Sequence, residues 1–272
     1  MAKRMHIPIF HMEAGNRCFD ENVPEETNRR IIDHIADFNL VYTEHARRHL
    51  LSEGLHHRRI YLTGSPMKEV LDYYKPKIDQ STILAKLKLD PKEYFLVSTH
   101  REENVDNKEK LKNILIVLNQ LAAKYKLPVI VSTHPRTRKR LESHRSSLTT
   151  HRLIQFLEPF GYLDYIKLQQ NAKCTISDSG TISEESAILG FPAITLRNSM
   201  ERPEAMDAGI ITLTGFYESR VMNSIITTIE EHKNRMYRNN IIDYSINDTS
   251  WRVLKLIQGL AGLSNKWHGI ES

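Results

Sequence analysis

The sequence predicts an α/β fold in two halves, each a parallel sheet covered by helices, with the first half incomplete. Three observations carry this. Short β-branched runs alternate with amphipathic stretches along the chain, and strand, helix, strand in repetition means a parallel sheet with right-handed crossovers. The segment 67–92 is polar and helical and carries Pro76 and Pro91 as punctuation, so it reads as a hinge between two sheets. The series before this hinge holds three strands and the series after it holds six.

The first-half strands are expected at 7–10 (IPIF), 39–43 and 59–64, and those of the second half at 94–99, 128–133, 153–157, 174–178, 192–196 and 210–215. Helical patterns fall between them at Glu25–Phe38, Asn107–Tyr125, Tyr162–Asn171 and Ile182–Leu189. The domain boundary follows from the hinge: residues 1–75 form the first domain, and residues 76–272 form the second together with the terminal helices. Three strands make a poor doubly wound domain, so the first half either pairs with something else or lacks its opening strands.

At 272 residues, 40% hydrophobic and 26% charged, the chain can bury a sizeable core. No run approaches the ~18 consecutive apolar residues of a membrane span, and MAKRMHIPIF lacks a signal peptide's apolar stretch and cleavage site. A cytoplasmic protein with no membrane partner is expected. Cys18 and Cys174 lie far apart with no metal-ligand neighbour at Cys-x-x-Cys spacing, so reduced, packed thiols are expected rather than a disulfide or zinc framework. The formal charge of +5 suits an anionic partner. The basic residues are dispersed among acidic ones, however, so a diphosphate accounts for them and nucleic acid is not required. The densest basic cluster, Arg136 to Arg145 with Arg138, Lys139 and Arg140, reads as a solvated helical face.

In open α/β sheets ligands gather where strands end and helices begin. After strand 7–10 come His11, Glu13, Gly15 and Arg17, then Glu25 and Glu26 lead into a helix. Glutamates in a first helical turn also serve as electrostatic caps, whereas Glu13 has no helix yet to cap. After strand 94–99 stands His100, and after strand 128–133 stands His134. Two strand-ending histidines, each followed by arginine, point to hydrogen bonding or acid–base work, and their spacing does not resemble a metal site. In SDSGTISEE, the small residues Ser179, Gly180 and Thr181 precede a helix whose free N–H groups and dipole favour a phosphate, with Glu185 placed to reach ribose hydroxyls. An ordinary capping box from Thr181 to Glu184 is the competing reading. Arg202 in ERPEA offers a planar contact to a diphosphate or an ion pair with Glu201 or Glu204. Phe160 and Tyr165 offer faces for a base, although helix 162–171 needs apolar residues for its own packing.

Taken together, HMEAGNR, PEETNRR, STHREEN, STHP, SDSGTISEE and ERPEA stand in the order found in the non-hydrolysing UDP-N-acetylglucosamine 2-epimerases, and the sequence resembles that family over nearly its whole length. The resemblance implies two Rossmann-like halves of the glycosyltransferase-B-like type and inversion at C2 of a UDP-linked N-acetylhexosamine for surface polysaccharide precursors. It also implies a homodimer, with no redox cofactor and no metal. Carried onto matching positions, Glu13 and Glu25 become the acid–base carboxylates, and His100 lies by the diphosphate and the reacting sugar. Ser179, Gly180 and Thr181 hold phosphates, Glu185 the ribose, and His134 and Arg202 the nucleotide-sugar. Thr181 departs from the glycine frequent in the family.

The variants HMEAGNRCFDENVPEE and ERPEAMDAG look closer to the subgroup that forms UDP-N-acetyl-L-fucosamine from UDP-2-acetamido-2,6-dideoxy-L-talose. The family's GTRPE-like loop and its Gly-Asp pair are absent, which implies a truncated chain that binds UDP weakly and turns over slowly or not at all. Two other functions remain open from the sequence: a glycosyltransferase of the same fold, and a non-catalytic UDP-sugar-binding remnant.

Overall fold

The computed structural model describes residues 1–99, 104, 106–134, 137, 150–234 and 241–270. His100, Arg136 and the basic residues from Arg138 to Arg145 lie outside the described residues. Among those described, nine strands form two parallel sheets, three strands in order β1-β2-β3 and six in order β6-β5-β4-β7-β8-β9. The three-plus-six division is that expected from the sequence.

The three-stranded sheet consists of β1 (Phe10–Ala14), β2 (Phe38–Val41) and β3 (Ile60–Leu62). Helices α1 (Pro24–Ile35) and α2 (Glu44–Ser52) supply the crossovers. Thr43 starts α2 by accepting the Ala46 N–H at 3.3 Å on its hydroxyl, a side-chain cap for an otherwise orphaned donor. Ala14, Val41, Ala46, Leu50, Leu55 and Ile60 then close a small apolar core between sheet and helix. The expected first strand, 7–10, is displaced to Phe10–Ala14. Pro8 has no N–H to give to a ladder, and pairing with β2 begins only where Phe10 faces Phe38.

The six-stranded sheet runs through β4 (Phe95–Ser98), β5 (Val129–Ser132), β6 (Ile154–Leu157), β7 (Cys174–Ser177), β8 (Ala193–Thr195) and β9 (Thr212–Leu213). Its helices, numbered on along the chain after α3 (Met67–Asp79), are α4 (Ile83–Leu87), α5 (Lys108–Tyr125), α6 (Tyr162–Asn171), α7 (Ile182–Leu189) and α8 (Glu218–Lys233). Side chains on a strand alternate between faces, and here both faces are covered. Phe95 and Val97 pack with Leu118 and Leu121 of α5 and Ile225 of α8, while Tyr94 and Leu96 pack with Ile83 of α4 and Leu168 of α6. Burial on both faces is why these strands read as continuous apolar runs. Asn107 opens α5 by accepting the N–H groups of Glu109 and Lys110 on its side chain.

The chain forms two compact units: Met1–Tyr73 with Ser199–Glu204 and Asn240–Ser272, and Tyr74–Asn198 with Ala205–Asn239. The boundary between Tyr73 and Tyr74 falls inside α3, within the expected hinge and close to the boundary drawn at 75/76. The terminal helix α9 (Thr249–Trp267) belongs to the first unit rather than the second, which corrects the assignment of 76–272 to one domain. Hydrogen bonds explain the correction. The Thr249 hydroxyl donates to the carbonyls of Thr63 and Ser65 at 3.1 Å each, Tyr244 donates to Glu204 at 3.1 Å, and the Ile246 side chain fills the space beside Gly64. Trp267 meets Phe38 of β2 edge-on, with ring centroids 6.0 Å apart. None of these partners is near in sequence, so strand and helix periodicity carried no sign of them. Among the described residues no helix is long and apolar enough to cross a membrane.

Candidate functional site

In the first unit the candidate residues gather at the end of β1. The β1–β2 register shifts between Met12, opposite Leu40, and Ala14, opposite Val41, so Glu13 is the extra residue of a β-bulge. Its φ of 61° places it in the left-handed region, which costs a non-glycine residue about 1–2 kcal/mol. Bulges re-aim a side chain and recur beside active sites. The Glu13 carboxylate accepts a hydrogen bond from Arg202 at 2.8 Å and another from Asn16 at 3.0 Å. The expectation had placed Glu13 after a strand; it lies within one, at the bulge.

A charge network lies behind the bulge. Asp33 on α1 is fully buried and accepts from the His11 ring at 2.7 Å, from the Gly15 amide at 3.1 Å and from Arg17 at 2.7 Å. Arg17 is also buried and makes a two-pronged pair with Glu53 at 2.7 and 2.8 Å. Burial works against the Arg17 cation, but Glu53 and Asp33 outweigh it and raise its pKa above the ordinary value. For Glu53, the bond from Arg17 overcomes burial, and the carboxyl is held below its usual range.

Glu25 and Glu26, adjacent in the first turn of α1, fare differently. Glu25 is exposed, while Glu26 is buried. Glu26 accepts from the Cys18 amide at 2.9 Å and from Arg30 at 3.1 Å. Burial disfavours its charge, but these donors prevail and lower its pKa. The residues of α1 that are buried are Glu26 and Asp33, seven apart and hence on one helical face, whereas Ile31, Ile32 and Ile35 are exposed. The sequence reading missed Asp33. The available signal was an acid at helical spacing from Glu26 in a stretch whose isoleucines invited the opposite assignment of faces.

In the second unit the strand order reverses between β4 and β7, the place where open parallel sheets bind ligands beyond the carboxyl ends of their strands. Ser98 and Ser177 face each other there, and the Asp178 amide donates to the Ser98 carbonyl at 3.2 Å. Asp178 is fully buried and accepts from Asn104 at 3.0 Å, a further contact the sequence reading did not find. Ser179, Gly180 and Thr181 follow, half-buried. The competing capping-box reading is not realised: the Thr181 side chain makes no cap bond to α7 and instead contacts the Ser179 hydroxyl at 3.0 Å. Glu185, placed on the ribose by resemblance, accepts from Gln169 at 2.6 Å. Burial drives the pKa of Tyr165 up. His134, exposed, follows β5. His100, the candidate that would follow β4, is outside the described residues.

Neither cysteine is in a disulfide, and no cluster of three or more metal-ligating side chains occurs among the described residues.

The sequence profile of the UDP-N-acetylglucosamine 2-epimerase family matches residues 1–258. The chain belongs to this family. It is 35% identical over 240 residues to the UDP-N-acetylglucosamine 2-epimerase of Methanocaldococcus jannaschii, covering 86% of this chain and 65% of that protein; it thus spans just under two thirds of that relative's length. Among solved structures, the UDP-N-acetylglucosamine 2-epimerase of Rickettsia bellii is 48% identical with a TM-score of 0.90, covering 97% of this chain and 71% of its own. The M. jannaschii enzyme in complex with UDP-GlcNAc and UDP is 32% identical with a TM-score of 0.85, covering 95% and 71%. These family members therefore carry the same α/β architecture.

Proposed function

We propose that the chain is the larger part of a UDP-N-acetylhexosamine 2-epimerase, with Glu13 as an acid–base carboxylate. The observation that carries the reading is Glu13 itself. A glutamate held at a left-handed bulge, where glycine costs less, and bonded to an arginine that the resemblance assigns to the nucleotide-sugar is backbone strain of the kind that persists at functional sites. Membership of the epimerase family supplies the substrate class.

The C2 hydrogen of a UDP-N-acetylhexosamine is not adjacent to a carbonyl and is barely acidic, so a free carbanion is excluded. In the proposed reaction a carboxylate takes the C2 proton as the C1–O bond breaks, and the electron pair of that bond leaves with UDP. The product pair is a 2-acetamidoglycal and UDP. Re-addition of UDP at C1, with a proton delivered to the other face of C2, completes the inversion. Glu13 and Glu25 are the proton-transferring groups. His100 stands by the diphosphate, and Ser179, Gly180 and Thr181 at the head of α7 hold phosphate. Glu185 takes the ribose, and His134 and Arg202 the nucleotide-sugar. The finer substrate proposed is either UDP-N-acetylglucosamine or UDP-2-acetamido-2,6-dideoxy-L-talose, as an early step of surface polysaccharide synthesis in the cytoplasm, in a homodimer.

Incubation with either UDP-sugar in deuterated water, followed by proton NMR, tests the reading. Loss of the C2 proton signal and appearance of the 2-epimer are expected, and both vanish in Glu13→Gln. Transfer of the sugar to an acceptor without C2 exchange would replace the reading with a glycosyltransferase. UDP binding with neither reaction would replace it with a nucleotide-sugar-binding protein.

A further inference from the structure

We propose that Asp33 is a positioning residue that fixes the left-handed bulge at Glu13, and so the direction of the Glu13 carboxylate. The proposal rests on the reading of Glu13 as a catalytic group. Asp33 holds the chain on both sides of that residue. Two residues before it, the His11 ring bonds Asp33 Oδ1 at 2.7 Å. Two residues after it, the Gly15 amide bonds Oδ2 at 3.1 Å, and four residues after it Arg17 bonds the same oxygen at 2.7 Å. One buried carboxylate therefore receives three donors from the seven residues 11–17, with the strained Glu13 between the first donor and the other two.

Asp33 is itself anchored. The carbonyl at its own position accepts from the buried Asn39 side chain at 3.0 Å, which ties α1 to β2. Arg17 is held from its other edge by Glu53, and the His49 ring bonds the Gly15 carbonyl at 3.0 Å. The bulge backbone is thus clasped between α1 and α2, while the Glu13 side chain, 40% exposed, remains accessible beside Arg202. A strained backbone persists only where its surroundings over-determine it, and Asp33 is the residue that bonds both flanks. It touches no part of the Glu13 carboxylate, so its effect on chemistry passes through geometry.

The test is Asp33→Asn, which keeps the shape and removes the charge. In protein labelled with 13C,15N-glutamate, Glu13 is assigned by the signal lost in Glu13→Gln. Its Cα shift in Asp33→Asn is expected to leave the left-handed position while the other glutamates stay in place. Solvent-deuterium exchange at C2 of the UDP-sugar is expected to show kcat lower by about 100-fold with KM within about threefold, the scale at which small misplacements of a reacting group are felt. A merely structural role would lower the unfolding midpoint and leave both the Glu13 signal and kcat per folded molecule unchanged, and that result overturns the proposal. A Glu13 signal that stays put overturns it whether or not turnover is measured. Full exchange by Glu13→Gln would instead remove the catalytic reading of Glu13, and the catalytic part of this proposal with it. Should Asp33→Asn fail to fold, His11→Phe cuts one arm, leaves the Arg17–Asp33 pair intact, and carries the same two readouts.

Discussion

Replacing Gly15 with alanine tests how tightly the bulge is held against α2. Gly15 has φ +79°, and a Cβ built there would lie 2.3 Å from the carbonyl oxygen of Ala46, 2.8 Å from its carbon and 3.1 Å from Leu50 Cγ. The first two atoms are helix backbone, so α2 must retreat by about 0.7 Å in a packed core that resists such shifts. Gly54 provides the control in the same unit: its φ is +85°, but nothing lies within 4 Å of its Cβ position. Gly54→Ala bears backbone strain alone, about 1–2 kcal/mol. Gly15→Ala bears the same strain plus an overpacking cost of about 1–3 kcal/mol. Both tryptophans of the chain, Trp251 and Trp267, lie on α9 in that unit, so intrinsic fluorescence during urea titration reports its unfolding selectively. With urea slopes of about 1–3 kcal/mol per molar, the extra cost moves the Gly15→Ala midpoint roughly 1 M below that of Gly54→Ala. A Gly15→Ala midpoint equal to or above that of Gly54→Ala would refute the argument that α2 is held rigidly against the bulge.

Three further outcomes are expected. Glu13→Gly should be more stable than Glu13→Ala by about 1 kcal/mol and so unfold at a higher urea concentration, since both lose the carboxylate and only glycine relieves the positive φ; equal midpoints would mean the bulge is unstrained. Because Arg17 holds the folded pKa of Glu53 below 4.5, the stability from this pair is fully present above that value and is lost as pH falls through the depressed folded pKa. Glu53→Gln should cost on the order of 2–3 kcal/mol at neutral pH and flatten the acid limb of a midpoint-versus-pH curve, whereas an unchanged acid limb would contradict the assignment. Burial makes Cys174 inaccessible and pushes its pKa up to about 12, and burial also raises that of the half-buried Cys18. A thiol-reactive dye at neutral pH should therefore label at most one site natively and both in urea, and two fast native sites would contradict the packing.

The strands of both sheets were legible because period and β-branching are local properties: β5, β6 and β7 fall within the expected segments. The edges were less so. Apolar character alone sets the first strand at 7–10, with HMEAG at its end, whereas pairing begins at Phe10 and the bulge carries no mark in the apolar pattern. The phosphate-binding candidates Ser179 to Thr181 were found because a strand followed by small residues and a helix is a contiguous pattern. Asp33 was not found, because its value depends on three donors that meet it only in the folded unit. The placement of α9 depended likewise on Thr63, Ser65 and Gly64, nearly two hundred residues earlier. Acid on a buried helical face with isoleucine outside, as in α1, is the kind of inversion that composition conceals.

The first unit is assembled from segments that lie on both sides of the second unit in the sequence, and this orders events on the ribosome. Translation delivers β1 to β3 early, yet Ile246 beside Gly64 and Thr249 beneath Thr63 and Ser65 emerge only after the whole sequence of the second unit has been made. The unit begun first is finished last. Its nascent strands must wait with open edges, the state in which sheets are most prone to join the wrong neighbour, until the closing helix leaves the exit tunnel.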